Sequence, residues 1–218
     1  MCNLYAVTKG QQAIRELTRA MTDRTGNLPS MPGIFPAYPA PIVRNTSEGR
    51  ELTLARWGMP SPALALKGRK TDAGVTNVRN TTSPHWRRWL GVEGRCVVPF
   101  TSLAEREALP DGSKPPIWFA LAEERPLACF AEIWTNWTSV RKVKEGETTN
   151  DPFAFLTTES SEPIRTYHPK AMPVILTTQE EINLWMTAPT PEAMKLQRPL
   201  AVDTLQVVQR GHKSDANT

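Results

Sequence analysis

With 218 residues, 39% of them hydrophobic, the chain can bury one substantial core and is marginal for two. Its 26 Lys and Arg against 22 Asp and Glu leave a net charge of +4, which permits attraction to a polyanion without selecting one. No apolar run reaches about 18 residues, and the opening Met-Cys-Asn-Leu-Tyr lacks an export pattern. The expectation is therefore a cytoplasmic protein without membrane partners.

In chain order, residues 11–23 place Ala13, Ile14, Leu17 and Met21 on one stripe at helical spacing, which predicts a first amphipathic helix. Residues 26–41 are rich in Pro and Gly and predict an ordered, irregular loop in which Ile34, Phe35 and Tyr38 seek burial. Residues 53–57 predict a strand ending at Gly58. Ser83 before Pro84 predicts a helix start, with Trp86 and Leu90 on one side and Arg87 and Arg88 displayed.

Residues 95–100, 116–121, 128–134, 153–158 and 172–177 predict strands, and the polar stretch 140–151 predicts a mobile hairpin loop. Thr178 and Glu181 resemble a capping box ahead of Ile182, Leu184, Trp185 and Met186. The polar end, residues 209–218, predicts a flexible tail after a domain spanning 1–208. Strands dominate without regular alternation with helices. This favours α+β, a mixed and mainly antiparallel sheet core with a few flanking helices.

Chemistry starts from the cysteines. Cys96 and Cys129 lie in apolar runs and predict ordinary core residues. Cys2 differs, because loss of Met1 leaves an α-amine beside its thiol. Roughly 10 to 15% of an α-amine is neutral near pH 7, against well under 0.1% of a typical lysine. An amine and a thiol on adjacent carbons suit an aldehyde: the amine forms a Schiff base and the thiol closes a thiazolidine. Taken alone, Cys2 is equally readable as a small second residue without a role.

A proton carrier near neutrality is also required, pointing to His or a perturbed carboxylate. Of the three histidines, His212 lies in the polar end and His85 suits a surface role or a phosphate contact. His168 stands before Pro169, at the entrance of a strand. No cysteine or histidine spacing suggests zinc, so no metal or cofactor is expected.

Taken together, Met1-Cys2, Arg56-Trp57-Gly58, Thr76-Asn77-Val78-Arg79, Arg95-Cys96-Val97-Val98-Pro99, Glu105, Ala131-Glu132-Ile133-Trp134 and His168 before Met172-Pro173 form an ordered set. That set resembles the SRAP family, the SOS response-associated peptidase or abasic-site processing proteins, from residue 1 to about 200. The resemblance implies a single SRAP-type domain in which Cys2 is the nucleophile that crosslinks abasic sites. It further implies Asn77 as the group orienting sugar and amine, Glu105 as the carboxylate at the amine, His168 as the aid to sugar opening, and Arg79 as a DNA contact.

This chain departs from the family in having Asn3 and Leu4 where Gly and Arg are usual, and in Thr101-Ser102-Leu103-Ala104 before Glu105, with Glu107 as the fallback. Arg44, Arg56, Arg87, Arg88 and the rings of Trp57 and Trp86 complete the expected DNA-binding set. The expected partner is single-stranded DNA containing abasic sites, met by a monomer that is nucleoid-associated during repair. A thiol peptidase acting on Met1 or other peptides, a side reaction as a lyase, and a non-covalent binding module stay open as alternatives.

Overall fold

Brief runs of inward apolar residues, cut by prolines and glycines, give a chain of many short strands. The computed structural model describes residues 2–215. It opens with β1 (Tyr5–Val7), α1 (Gln11–Thr18), β2 (Thr22–Asp23) and β3 (Met31–Ile34). The hairpin of β4 (Pro39–Thr46) and β5 (Gly49–Trp57) is followed by α2 (Ala63–Leu66), β6 (Asn77–Val78) and α3 (Pro84–Arg87). Next come β7 (Arg95–Phe100), β8 (Ser102–Arg106), β9 (Pro116–Ala120) and β10 (Ala128–Trp134), then β11 (Trp137–Val140) and β12 (Glu147–Asn150) as a separate two-stranded ribbon. After β13 (Pro152–Thr158) lie α4 (Ile164–Tyr167), β14 (Met172–Pro173), β15 (Ile175–Leu176), α5 (Gln179–Thr187), α6 (Thr190–Ala193) and β16 (Gln206–Arg210).

The molecule is α+β, with mainly antiparallel sheets and few helices. Strands β5, β4, β7, β10 and β13 pair antiparallel in that order, and β13 returns to pair in parallel with β5, closing a ring. A ring of this kind hides its own edges. A second, antiparallel sheet runs β16-β9-β8-β1-β3. Side chains alternate across a strand, so Tyr5, Trp57, Phe130 and Phe155 turn into one aromatic core. There Tyr5 lies 5.3 Å from Trp57, 5.7 Å from Phe130 and 5.5 Å from Phe155. Fully buried Arg95 ties α5 to this core by donating to the carbonyls of Trp185 at 2.6 Å and Ala188 at 2.9 Å.

Several sequence expectations are revised. The first helix stops at Thr18 rather than residue 23, because Arg19 turns left-handed with φ 55°; Met21 is then 68% exposed and residues 22–23 join β5. The Pro- and Gly-rich stretch contains β3, which buries Ile34, while Tyr38 stays exposed. The stretch at 140–151 is a hairpin connection, as expected, but it also carries β12, which pairs antiparallel with β11. Residues 172–177 divide into β14 and β15, which pair with different neighbours. Thr178 does cap α5, its side chain accepting from Glu181 N, and Ile182, Trp185 and Met186 are buried; Leu184 faces outward. Strands β1 and β8, unmarked in the sequence reading, are central to the second sheet.

The largest revision concerns the polar end. Residues 206–210 form β16 against β9, Trp118 Nε1 donates to the carbonyl of His212 at 2.9 Å, and Asp215 is fully buried. Asp215 accepts from Arg125 Nε at 2.8 Å and from Ser102 Oγ at 2.5 Å. A tail detached at residue 209 is thus corrected as far as residue 215; residues 216–218 lie outside the described set. Replacing Asp215 by Ala leaves a buried guanidinium unpaired, and about 3–5 kcal/mol of stability should be lost in urea denaturation. A loss below about 1 kcal/mol would show that this segment does not hold the sheet.

Candidate active site

Strand β1 delivers Cys2 to the site. Tyr5 pairs with Leu103 and Ala6 with Ser102, and the bond from Ala104 N to the Leu4 carbonyl at 2.9 Å carries the pairing toward the amino terminus. That register sets the first residues alongside Glu105. Cys2 is only 1% exposed, and its Sγ–H donates to the Leu4 carbonyl at 3.4 Å. Burial, reinforced by the negative charge of Glu105, pushes the thiol well above its ordinary range, so it stays protonated.

Asn77 comes from β6, which lies beside β13 through the pairs Phe155 with Asn77 and Leu156 with Val78. Its Nδ2 donates to the Cys2 carbonyl at 3.2 Å and to Thr76 Oγ1 at 2.9 Å, and Thr76 in turn donates to Asn3 Oδ1 at 3.3 Å. Asn77 Oδ1 is buried without a partner among the described residues. Glu105 is buried too, with Oε1 unpartnered, and loss of water around it raises its carboxyl to about 7. A small cavity of about 130 Å³ between Asn3, Leu4, Ala104, Glu105 and Arg106 gives this carboxyl its opening.

His168 follows α4, with its carbonyl accepting from Ser160 Oγ at 2.6 Å. His168 Nδ1 lies 2.8 Å from the Ala171 carbonyl and 3.3 Å from the Ala171 N–H, which fixes the ring against its own loop. Burial lowers the imidazole below its ordinary value, which keeps it neutral at pH 7. Arg79, exposed two residues beyond Asn77, donates to the Lys170 carbonyl at 3.1 Å and so joins the Asn77 strand to the His168 loop.

The expected DNA-binding set separates in space. Trp57 is 0% exposed and sandwiched against Phe153 and Phe155, because alternation on β5 turns Ala55 and Trp57 inward and Arg56 outward. Its ring is closed to a base, and Trp86 is nearly as buried. Arg44 is committed to Glu51 at 2.9 Å and Asp151 at 2.7 Å and lies over Trp134, while Arg56 pairs with Glu145 at 3.0 Å. Arg87 and Arg88 are exposed, with Arg88 held against His85 and the Trp89 ring. Glu107, the fallback carboxylate, is bound to Arg210 instead. A larger cleft of about 450 Å³ beside Arg56, Glu145 and Asp151 contains none of Cys2, Asn77, Glu105 or His168.

One group went unassigned in the sequence. Glu132 is 0% exposed, and neither carboxylate oxygen has a partner among the described residues. It lies two residues from Phe130 on β10 and so faces the aromatic core, where the Tyr5 hydroxyl is likewise unpartnered. The signal was a lone carboxylate in the apolar run 128–134. Desolvation raises its carboxyl far above the ordinary range, so it is neutral in the fold.

Three comparisons set the chain beside known proteins. The family model described as SOS response associated peptidase (SRAP) matches residues 1–211. The search of curated proteins returned no match. A crystal structure of a protein from Bordetella bronchiseptica superposes with a TM-score of 0.72 at 24% identity, covering 94% of this chain and 98% of that one. A protein from Bacteroides thetaiotaomicron gives 0.68 at 20% identity over 94% and 90%, and a phage-related protein from Bordetella bronchiseptica gives 0.63 at 20% identity over 90% and 87%. These likenesses extend to the fold. Among the described residues, no helix is long and apolar enough to cross a membrane.

A carboxyl held neutral in the fold but ionised in the unfolded chain contributes stability at low pH that is lost as pH rises. The unfolded state releases the proton above about 4.3, at a cost to wild type of up to about 1.4 kcal/mol per pH unit. The Glu132→Gln variant should therefore gain on wild type between pH 5 and pH 7 in urea denaturation. A stability difference that does not change with pH would sink this account of Glu132.

Proposed function

The chain belongs to the SOS response associated peptidase family, and from that premise we propose that it captures abasic sites in single-stranded DNA as a covalent adduct of Cys2. Loss of Met1 frees the α-amine of Cys2. That amine attacks C1′ of the ring-opened sugar, and expulsion of one water gives an imine. Sγ then adds to the same carbon, its proton passes to the nitrogen, and the thiazolidine ring closes.

The observation that carries this reading is the bond from Asn77 Nδ2 to the Cys2 carbonyl, with the Glu105 carboxyl on the neighbouring strand poised at about 7. A group that is half ionised near neutrality both accepts a proton from the attacking amine and returns one to the departing hydroxyl. His168, held neutral by burial, takes the sugar hydroxyl proton during ring opening. Arg79 supplies a phosphate contact that Leu4 does not.

Incubation with single-stranded DNA bearing one abasic site should give a heat-stable shifted band on a denaturing gel, absent for Cys2→Ala. No band from protein whose Met1 is shown by mass to be gone would overturn the proposal. Glu105→Gln should slow band formation by roughly 10²–10⁴-fold and remove an inflection near pH 7 from its rate profile. A variant with wild-type rate and profile would exclude Glu105 as the proton carrier.

A further inference from the structure

The two-stranded ribbon leaves one large aromatic ring open. Trp137 is 39% exposed at the start of β11, its buried side resting edge-on against Trp89 at 6.2 Å between ring centres. Across a cleft of about 240 Å³ from that ring lie Arg69, Lys70 and Leu66, with Thr138 and Val140 of the ribbon forming the floor. Lys67, Arg69 and Lys70 are exposed, and among the described residues no carboxylate pairs with them. Arg88 stacks on Trp89 on the other side, at 4.3 Å.

The carboxylate within the cleft is already occupied. Asp72 accepts from Ser61 Oγ at 2.6 Å, from Ser61 N at 2.9 Å and from Gly74 N at 2.8 Å, which fixes the loop. Buried Arg141 donates to the carbonyls of Asp72 and Gly58, and Asp72 N donates to Val140 O, so loop and ribbon form one wall. An exposed indole flanked by unpaired cations is what an unpaired base and its phosphates require. An apolar protein partner would leave those cations unanswered.

A short segment joins the cleft to the Cys2 site. From Asp72 the chain runs through the Val75–Met59 bridge to Thr76 and Asn77, which hold Asn3 and Cys2. Five residues span at most roughly 17 Å. We infer that Trp137, with Arg69 and Lys70, forms a stacking and phosphate site for a nucleotide of single-stranded DNA a short distance along the strand from the position held by Cys2. The choice of polymer rests on the function proposed above; the site itself acts on an intact base and needs no aldehyde.

Fluorescence anisotropy with an unmodified single-stranded oligonucleotide tests it, read beside quenching of tryptophan emission. Trp137→Ala should bind roughly 5- to 100-fold more weakly, and Trp137→Phe should recover most of the affinity. Arg69→Ala with Lys70→Ala should lower the salt dependence by about 1.4 in log–log slope. Wild-type affinity in Trp137→Ala, or no binding of the oligonucleotide by wild type at low salt, overturns the site. An unchanged thermal melt in each variant separates lost contact from lost fold. Failure of the Cys2 crosslink alone would remove the abasic-site reading and leave this binding result standing.

Discussion

The ring of Tyr5 is lodged where β5, β10 and β13 converge, within 5.3–5.7 Å of Trp57, Phe130 and Phe155. A strand of three residues is too short to hold an amino terminus by its ladder bonds alone. Burial of an aromatic side chain removes on the order of 150–250 Å² from water and gives the segment its anchor. Once Tyr5 is seated, the Leu4–Ala104 bond sets the register and brings Cys2 beside Asn77 and Glu105. The position of the nucleophile thus depends on a hydrophobic contact three residues away.

Burial also sets the protonation states. The Cys2 thiol, Glu105 and Glu132 are all desolvated, and each is pushed toward its neutral form for the same reason: a charge loses more hydration there than nearby dipoles return. The difference among them is access. Glu105 borders a small cavity and is raised only to about 7, whereas Glu132 faces an aromatic core and is shut away. One carboxyl is therefore suited to proton transfer near neutrality and the other acts as a neutral polar group inside the ring.

The cations divide in a similar manner. Arg44, Arg56, Arg95 and Arg125 spend their guanidinium groups on carboxylates and carbonyls that hold elements together. Planar guanidinium groups serve such junctions well, since several donors leave one rigid plane. Arg69, Lys70, Arg79 and Arg87 are exposed instead. Arg69 and Lys70 line the cleft beside the ribbon, and Arg79 reaches the loop of His168.

Much of this was legible in the linear chain. The strands at β7 and β10 followed from β-branched and aromatic runs between turn residues, and the cap of α5 followed from Thr178 and Glu181, because those signals act over a few residues. Cys2 and His168 were nameable as candidates from their residue chemistry, and Asn77 and Glu105 from the resemblance to the SRAP family. The meeting of Cys2 with Asn77 was not, since 75 residues separate them and only strand pairing closes that gap. The sequence could not tell an inward Trp57 from an open Trp137, because exposure depends on which face of a strand is covered. It also misjudged the polar end, where Asp215 is buried only because Arg125 and Ser102 wait for it on distant segments. Local chemistry, then, was written in residue type and spacing, while charge state and accessibility were decided by the fold, because both depend on how much water the surrounding chain excludes.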